Sequence, residues 1–294
     1  MKSIVFFSLS FFIVFSIHAQ SFNTEVTTGK QPVLLGKINK DRLDSTPYND
    51  WFTANYNSYQ PIEATTNQIK DELSEYTIKA FLGTWCGDSK REVPRFYKVL
   101  EAANYPLDRL TTIAVSRDRE TYKQSPGGEE EGHNIHRVPT FIFYKNGKEV
   151  NRIVESPRTT IENDILQILQ QNYTPNYEAV TIANKYLEAL GAAAFQKKTK
   201  KIAKQLNPKT MYELNTYSNV LFFANRKEDA IAIARLNTKL FPNEASAFKS
   251  LGNKLTQTNK IREAVHVFEA ALALSPKDET LQQTINQLKI EAGE

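Results

Sequence analysis

The chain holds a single cysteine, Cys86, set in the run GTWCGDSKREVP. A thiolate rather than a thiol attacks disulfides, and free cysteine is mostly protonated at neutral pH. Unpaired amides and the dipole at a helix N-terminus favour the anion. The residues before Cys86 are β-rich and those after it have helical spacing, so the thiol falls at a strand-to-helix junction. Lys90 and Arg91 add positive charge one turn on, Asp88 opposes ionisation, and Trp85 would shield one side of the sulfur. Ser89 is able to donate a hydrogen bond to a Cys86 thiolate. Read without chemistry, Cys86 is a small apolar core residue, Ser89 a capping residue and Trp85 plain packing.

A lone cysteine cannot close an intramolecular disulfide. The first twenty residues, MKSIVFFSLSFFIVFSIHAQ, give one lysine, an apolar run and a small residue at Ala19, the pattern of a secretory signal peptide over 1–19. The expectation is an exported chain, periplasmic or extracellular, with membrane attachment only if that segment stays uncleaved. Oxidising compartments favour paired cysteines, so an unpaired thiol there is either buried and inert or used on another molecule.

The elements that must position Cys86 follow from periodicity. Residues 32–38 read as a strand, and the aromatic stretch 47–59 as an irregular helix, its rings serving as core rather than as a ligand surface. Helical spacing at 69–75 and 88–104, and buried strands at 76–82 and 110–115, give a β, α, β run. Residues 140–144 and 149–154 form a hairpin around Asn146-Gly147, and 161–171 a closing amphipathic helix. The glycine- and glutamate-rich stretch 125–132 reads as an exposed flexible loop. His133 and His136 are three apart, but no further ligand at fixed spacing supports a metal site; contact with the Cys86 site is the better reading of His136.

From residue 177 the strands stop and a period of 34 begins: Pro208, Pro242 and Pro276, with Leu187, Leu221 and Leu255 in step. Phe248, Leu251, Gly252, Leu255, Ala264, Phe268, Ala271 and Pro276 hold the positions of a helix-pair repeat, with Gly252 and Ala264 small where two helices cross. The middle unit matches, the first is degenerate with Gln196 at a small-residue position, and 280–290 reads as an end helix. This part resembles tetratricopeptide-repeat proteins.

The pair TWCGDS after a β-run and RVPT (137–140) before a hairpin resembles the thioredoxin-like superfamily over 62–173. The whole then reads as signal 1–19, an extension 20–61 packed on an α/β thioredoxin-like domain 62–173 with a mixed sheet, and all-α repeats over 177–294. The resemblance implies a cis Val138–Pro139 bond facing Cys86, with the Val138 backbone open to a substrate strand. Trp85, Gly87, Asp88, Arg137, Val138, Pro139 and Glu155 would frame the substrate. The departures are Ser89 where a resolving cysteine usually stands, Ala80 where a buried acid does, and Arg137 and Glu155 at positions usually held by glycine. Arg137 and Glu155 are expected to approach each other and narrow the groove.

These readings point to monothiol exchange at Cys86 with a partner protein or a small thiol, resolved by an external thiol and needing no cofactor or metal. The alternative is a redox-idle adaptor whose repeats bind a protein or peptide. The proline pattern of peroxide-reducing cysteines is absent. A net charge of +4, scattered along 294 residues, does not argue for nucleic acid, and the tract 197–201 reads as the solvated face of a helix.

Overall fold

Side-chain alternation in β3 (Thr77–Leu82) decides how the sheet faces. Ile78, Ala80 and Leu82 turn to one side and Phe81 to the other, each buried in a separate apolar cluster. The computed structural model describes residues 22–28 and 31–293, so the expected signal segment lies outside the described residues. Its sheet runs β1-β2-β4-β3-β5-β6, from β1 (Thr24–Thr28) and β2 (Gln31–Ile38) through β4 (Leu110–Ala114) to the hairpin β5 (Thr140–Lys145) and β6 (Lys148–Val154). Among the described strands, only β3 and β4 pair in parallel. The segment before residue 62 contributes two strands to this sheet, with β2 antiparallel to β4. The sequence pattern predicts β2 alone, within an extension packed on the domain.

The helices α2 (Asn49–Ser58), α3 (Glu63–Leu73), α4 (Gly87–Ala102) and α5 (Ile161–Leu169) bury their apolar sides in one cluster with β3, β5 and β6. A four-residue turn of helix, α1 (Lys40–Leu43), leads into α2 and buries Leu43. The aromatic stretch is a regular helix rather than an irregular one. Phe52 is buried, while Tyr48, Tyr56 and Tyr59 keep their hydroxyls on Glu25, Glu101 and Glu162. Burial with a partner satisfied is what a tyrosine core requires. The hairpin turn is as expected: Asn146 and Gly147 sit at φ 52° and 74°, the pair of left-handed residues that a two-residue connection needs.

The opposite sheet face carries a smaller cluster of Phe81, Ile113, Val115, Ile135, Val138 and Ile142. An irregular segment, 115–139, covers it. The stretch 125–132 within it is tied down rather than loose. Ser125 is nearly buried; its amide donates to Glu130, and its single hydroxyl proton is shared between the Glu129 and Glu130 carboxylates.

Six further helices follow. They are α6 (Glu178–Ala203), α7 (Tyr212–Phe223), α8 (Lys227–Leu240), α9 (Ala245–Gln257), α10 (Ile261–Leu274) and α11 (Glu279–Ala292). Gly191, at φ 69° and ψ 161°, breaks α6 into two, so the repeat units are the halves of α6, then α7–α8, then α9–α10, with α11 last. Gly252 lies against Phe268, where an added Cβ would come within 2.5 Å of the ring. In the first unit the buried residues of the second helix are Phe195, Thr199 and Ile202. Each stands one place earlier than the matching positions of α10, because one glycine replaces the longer turn between helices. That shift explains why Gln196 is acceptable: it faces Arg235 and accepts a hydrogen bond from it. Lys197, Lys198, Lys200 and Lys201 are exposed around buried Thr199, as a solvated helix face should be.

Candidate thiol site

Strand β3 ends at Leu82, and four residues later Cys86 is the N-cap of α4, with extended backbone (φ −91°, ψ 128°). Helical residues from Gly87 onward leave amides unpaired at this end. Two contacts fix the approach. The Leu34 amide donates to Thr84 Oγ1 at 3.1 Å, and the Cys86 amide donates to the Gly83 carbonyl at 2.8 Å. Gly83 has to be glycine: a Cβ there would lie 2.5 Å from the Trp85 indole, which folds over it to donate Nε1–H to Val115 O at 2.9 Å. Trp85 and Cys86 both pack on the smaller apolar cluster.

The peptide bond between Val138 and Pro139 is cis. The Val138 carbonyl faces the sulfur, and the half-buried Cys86 thiol donates to that oxygen at 3.3 Å. The thiol and the residue before the cis-proline thus meet, although they are 52 positions apart. Gly87 faces open space, with room for a substrate chain to approach.

Three expectations are corrected. Ser89 is fully buried, and its hydroxyl accepts the Gly83 amide at 3.1 Å instead of bonding the sulfur. One helical turn in, its side chain points back beneath the strand end. Arg91 does not direct its charge at Cys86, because its guanidinium is taken by Asp88 at 2.9 Å and Glu92 at 2.6 Å. His136 is buried against the repeats, edge-on to Tyr177 and Tyr217, and burial pushes it down to about 3. His133 lies elsewhere, its ring nitrogens on Lys79 and the Tyr144 hydroxyl. The two histidines do not converge, and no group of three or more potential ligands occurs among the described residues.

Arg137 and Glu155 do approach each other, with Nη1 3.1 Å from Oε1. Glu155 adopts φ 67°, the left-handed region that glycine favours. Its amide donates to Pro139 O at 2.7 Å, and its carboxylate also accepts from the Tyr177 hydroxyl. The Arg137 guanidinium sits 4.9 Å from the centre of the Tyr177 ring. Tyr177 opens the first repeat helix, so the wall beside the cis-proline is built partly by the repeats.

Sequence reasoning missed Lys123. It is 4% exposed, its ammonium lies 5.4 Å from the Trp85 ring, and it interacts electrostatically with Cys86. Burial pushes it down to about 8, against a raising effect of Cys86. A lysine in a loop gives no sequence signal of this kind; its burial depends on how residues 115–139 fold over the sheet. Lys123 also lines a cavity of about 620 Å³ between that segment and the repeats, with Asn134, Ile135, Tyr217, Leu221 and Arg226. Gln124 ties the same junction by donating to Phe223 O at 2.8 Å. On the repeats a groove of about 410 Å³ is lined by Asn215, Asn219, Lys249, Asn253 and Lys254, with Arg119 at its edge.

A mixed sheet with a cysteine at a helix N-cap, opposite a cis-proline, defines a thioredoxin-like protein, here joined to helical repeats. Comparison with known proteins agrees. The chain is 34% identical over 89 residues to thioredoxin-2 of Saccharomyces cerevisiae, 29% of this chain and 72% of that protein. It is 31% identical over 87 residues to a thioredoxin of Malassezia sympodialis, 30% of this chain and 75% of that one. The chain belongs to the thioredoxin family. It is also 28% identical over 119 residues to the TPR repeat-containing thioredoxin TDX of Arabidopsis thaliana, 40% of this chain, and spans only 28% of that relative's length. No family model matches.

Proposed function

We propose that this protein carries out monothiol thiol–disulfide exchange through Cys86, on a partner protein or small thiol outside the cytoplasm. The observation that carries the reading is the Cys86 sulfur at the mouth of α4, 3.3 Å from the carbonyl of Val138, in a chain with no second cysteine. In the first step, the Cys86 thiolate attacks one sulfur of a disulfide. A new S–S bond to Cys86 forms, the old one breaks, and the other sulfur leaves as thiolate. An external thiolate then attacks the substrate sulfur of the mixed disulfide, and Cys86 leaves as thiolate. A second external thiolate frees that substrate sulfur in the same way, and the two external sulfurs end in a disulfide. The substrate disulfide gains two electrons and the external thiols lose them. The similarity to thioredoxins supports this class of chemistry, and the signal-like segment 1–19 supports export.

The test is the pH dependence of Cys86 alkylation, with Cys86→Ala as control. A rate that plateaus well below the range of free cysteine is expected, together with a mixed disulfide to cystine that added cysteine removes. A slow rate that titrates like an ordinary thiol overturns the reading. Export is checked separately by the mass of the mature protein, expected to begin at Gln20 or Ser21.

A second reading has one observation in its favour: the thiol is hydrogen-bonded as a donor to Val138 O, which stabilises the neutral form. On that reading the thiol is idle and the molecule is an adaptor. Its repeats would take a protein or peptide in the groove beside Lys254. The alkylation measurement separates the two.

A further inference from the structure

Lys123 occupies an unfavourable place twice over. Its backbone stands at φ 59°, a region in which a lysine is strained by the clash of Cβ with the following carbonyl. The residue is only 4% exposed, and among the described residues it forms no salt bridge. A turn holds it there: Lys123 N–H donates to Ser116 O at 2.9 Å, and Ser116 N–H donates to Gln124 O at 2.8 Å. The fold therefore tolerates both backbone strain and desolvation to keep a cation against the Trp85 ring, where Cys86 acts on its charge. Strain that persists in this way is informative about use.

The groups facing Lys123 narrow what that use is. Arg137 opposes its charge and Glu155 supports it, but these two are paired with each other. The Tyr122 ring lies 5.0 Å from the ammonium, and Tyr122 interacts with Cys86 as well. On the cavity side Glu130 is engaged by Ser125, and Arg226 is paired to Glu188 at 2.8 Å. Glu131 also lines that cavity; of the three groups whose charge acts on the ammonium, Arg137, Glu155 and Cys86, only Cys86 has no ion-pair partner of its own among the described residues.

We infer that Lys123 is the positioning residue of the thiol site, supplying the positive charge against which the Cys86 thiolate forms and departs from the Val138 carbonyl. This rests on the exchange chemistry proposed above. Of Lys90 and Arg91, the two basic residues close to Cys86 in sequence, Arg91 is neutralised by Asp88 and Glu92. A charge from the covering loop replaces it.

The experiment measures iodoacetamide alkylation of Cys86 across pH 6–10 in the full chain, Lys123→Met and Lys123→Arg. At pH 7 the rate in Lys123→Met falls on the order of tenfold, the effect of one unit charge at short range in a partly screened site. Lys123→Arg keeps the rate within about threefold. The deficit narrows above pH 8, where Lys123 itself, pushed down to about 8, gives up its proton. A second measurement avoids mutation. By NMR of the lysine Cε, the Lys123 titration midpoint moves lower once Cys86 is capped as a neutral thioether. Equal rates in Lys123→Met and the parent, or a midpoint unmoved by capping, overturn the inference. A parent Cys86 that titrates as an ordinary thiol instead overturns the exchange reading itself.

Discussion

The Arg137 guanidinium lies 3.1 Å from the Glu155 carboxylate, joining the loop before Pro139 to the end of β6. Both residues stand where thioredoxins usually carry glycine, and Glu155 keeps the glycine-type backbone at φ 67°. The pair raises a side-chain wall beside Cys86, and Tyr177 at the start of the first repeat helix completes it.

Replacing the acid tests that wall. Glu155→Gly loses an ion pair that is about a quarter exposed and worth under about 1 kcal/mol, and the carboxylate that accepts from the Tyr177 hydroxyl, worth about 1.5–3 kcal/mol, but it relieves a left-handed residue by about 1–2 kcal/mol. Stability by urea unfolding should fall by no more than about 3 kcal/mol. Reaction of Cys86 with a flexible peptide disulfide should accelerate several-fold, and reaction with cystamine should not. Equal acceleration of both would mean that the wall does not select by size.

Ser89→Cys places a thiol where dithiol relatives resolve their mixed disulfides. The parent should accumulate a mixed disulfide with a peptide substrate that survives until an external thiol is added. The variant should release the peptide unaided and close a disulfide between Cys86 and the introduced thiol, read by mass. A mixed disulfide as long-lived in the variant as in the parent would exclude position 89 as the vacated resolving position. The Gly83 amide loses its hydroxyl acceptor, so a destabilisation of about 1 kcal/mol accompanies the change.

His136 predicts acid sensitivity. Burial between Tyr177 and Tyr217 pushes it from 6.5 down to about 3. The unfolded chain therefore binds one more proton than the folded one between those values, and stability falls as pH drops through that window. From pH 7 to 4.5 this group should remove roughly 2 kcal/mol, and His136→Phe should flatten that part of the slope. Urea midpoints at the two pH values decide it. Parallel slopes in the two proteins would show that the imidazole is solvated in solution.

Lys123 and Lys254 predict the opposite edge. Burial pushes each down to about 8, against an ordinary 10.5. Among the described residues, Lys254 donates only to neutral acceptors, Asn219 Oδ1 at 2.6 Å and Ser250 Oγ at 3.0 Å. Between pH 8 and 10 the folded chain binds fewer protons than the unfolded one, so stability rises with pH. Buried tyrosines such as Tyr59 and Tyr105, held above the phenol range, reverse the trend above about pH 10. A gain of roughly 1–3 kcal/mol from pH 7.5 to 9.5 is expected, about half of it lost in Lys254→Met. A flat profile would place both ammonium groups in water.

Much of this molecule was written in local pattern. Alternation and 3.6-residue spacing located β3, α4, β4, the Asn146-Gly147 hairpin and α5 within a few residues. The 34-residue period located the repeats. Cys86 after a β-run and Pro139 before a hairpin marked the two halves of the thiol site. These features are legible because each depends on neighbours along the chain: period, turn chemistry and the start of a helix.

Tertiary structure decided the charges and the walls. That β1 and β2 join the sheet depends on pairing with β4, a partner far along the chain. Ser89 is spaced to reach the sulfur, yet the Gly83 amide captures it. Arg91 is spaced to serve Cys86 as a cation, yet two carboxylates hold it. Lys123 carried no pattern, and it is the cation that the covering loop buries against the Trp85 ring, where Cys86 acts on its charge. The distinction is physical. Periodicity reports which face of an element is apolar, whereas electrostatics depends on separations of a few ångströms between residues that only the folded chain brings together.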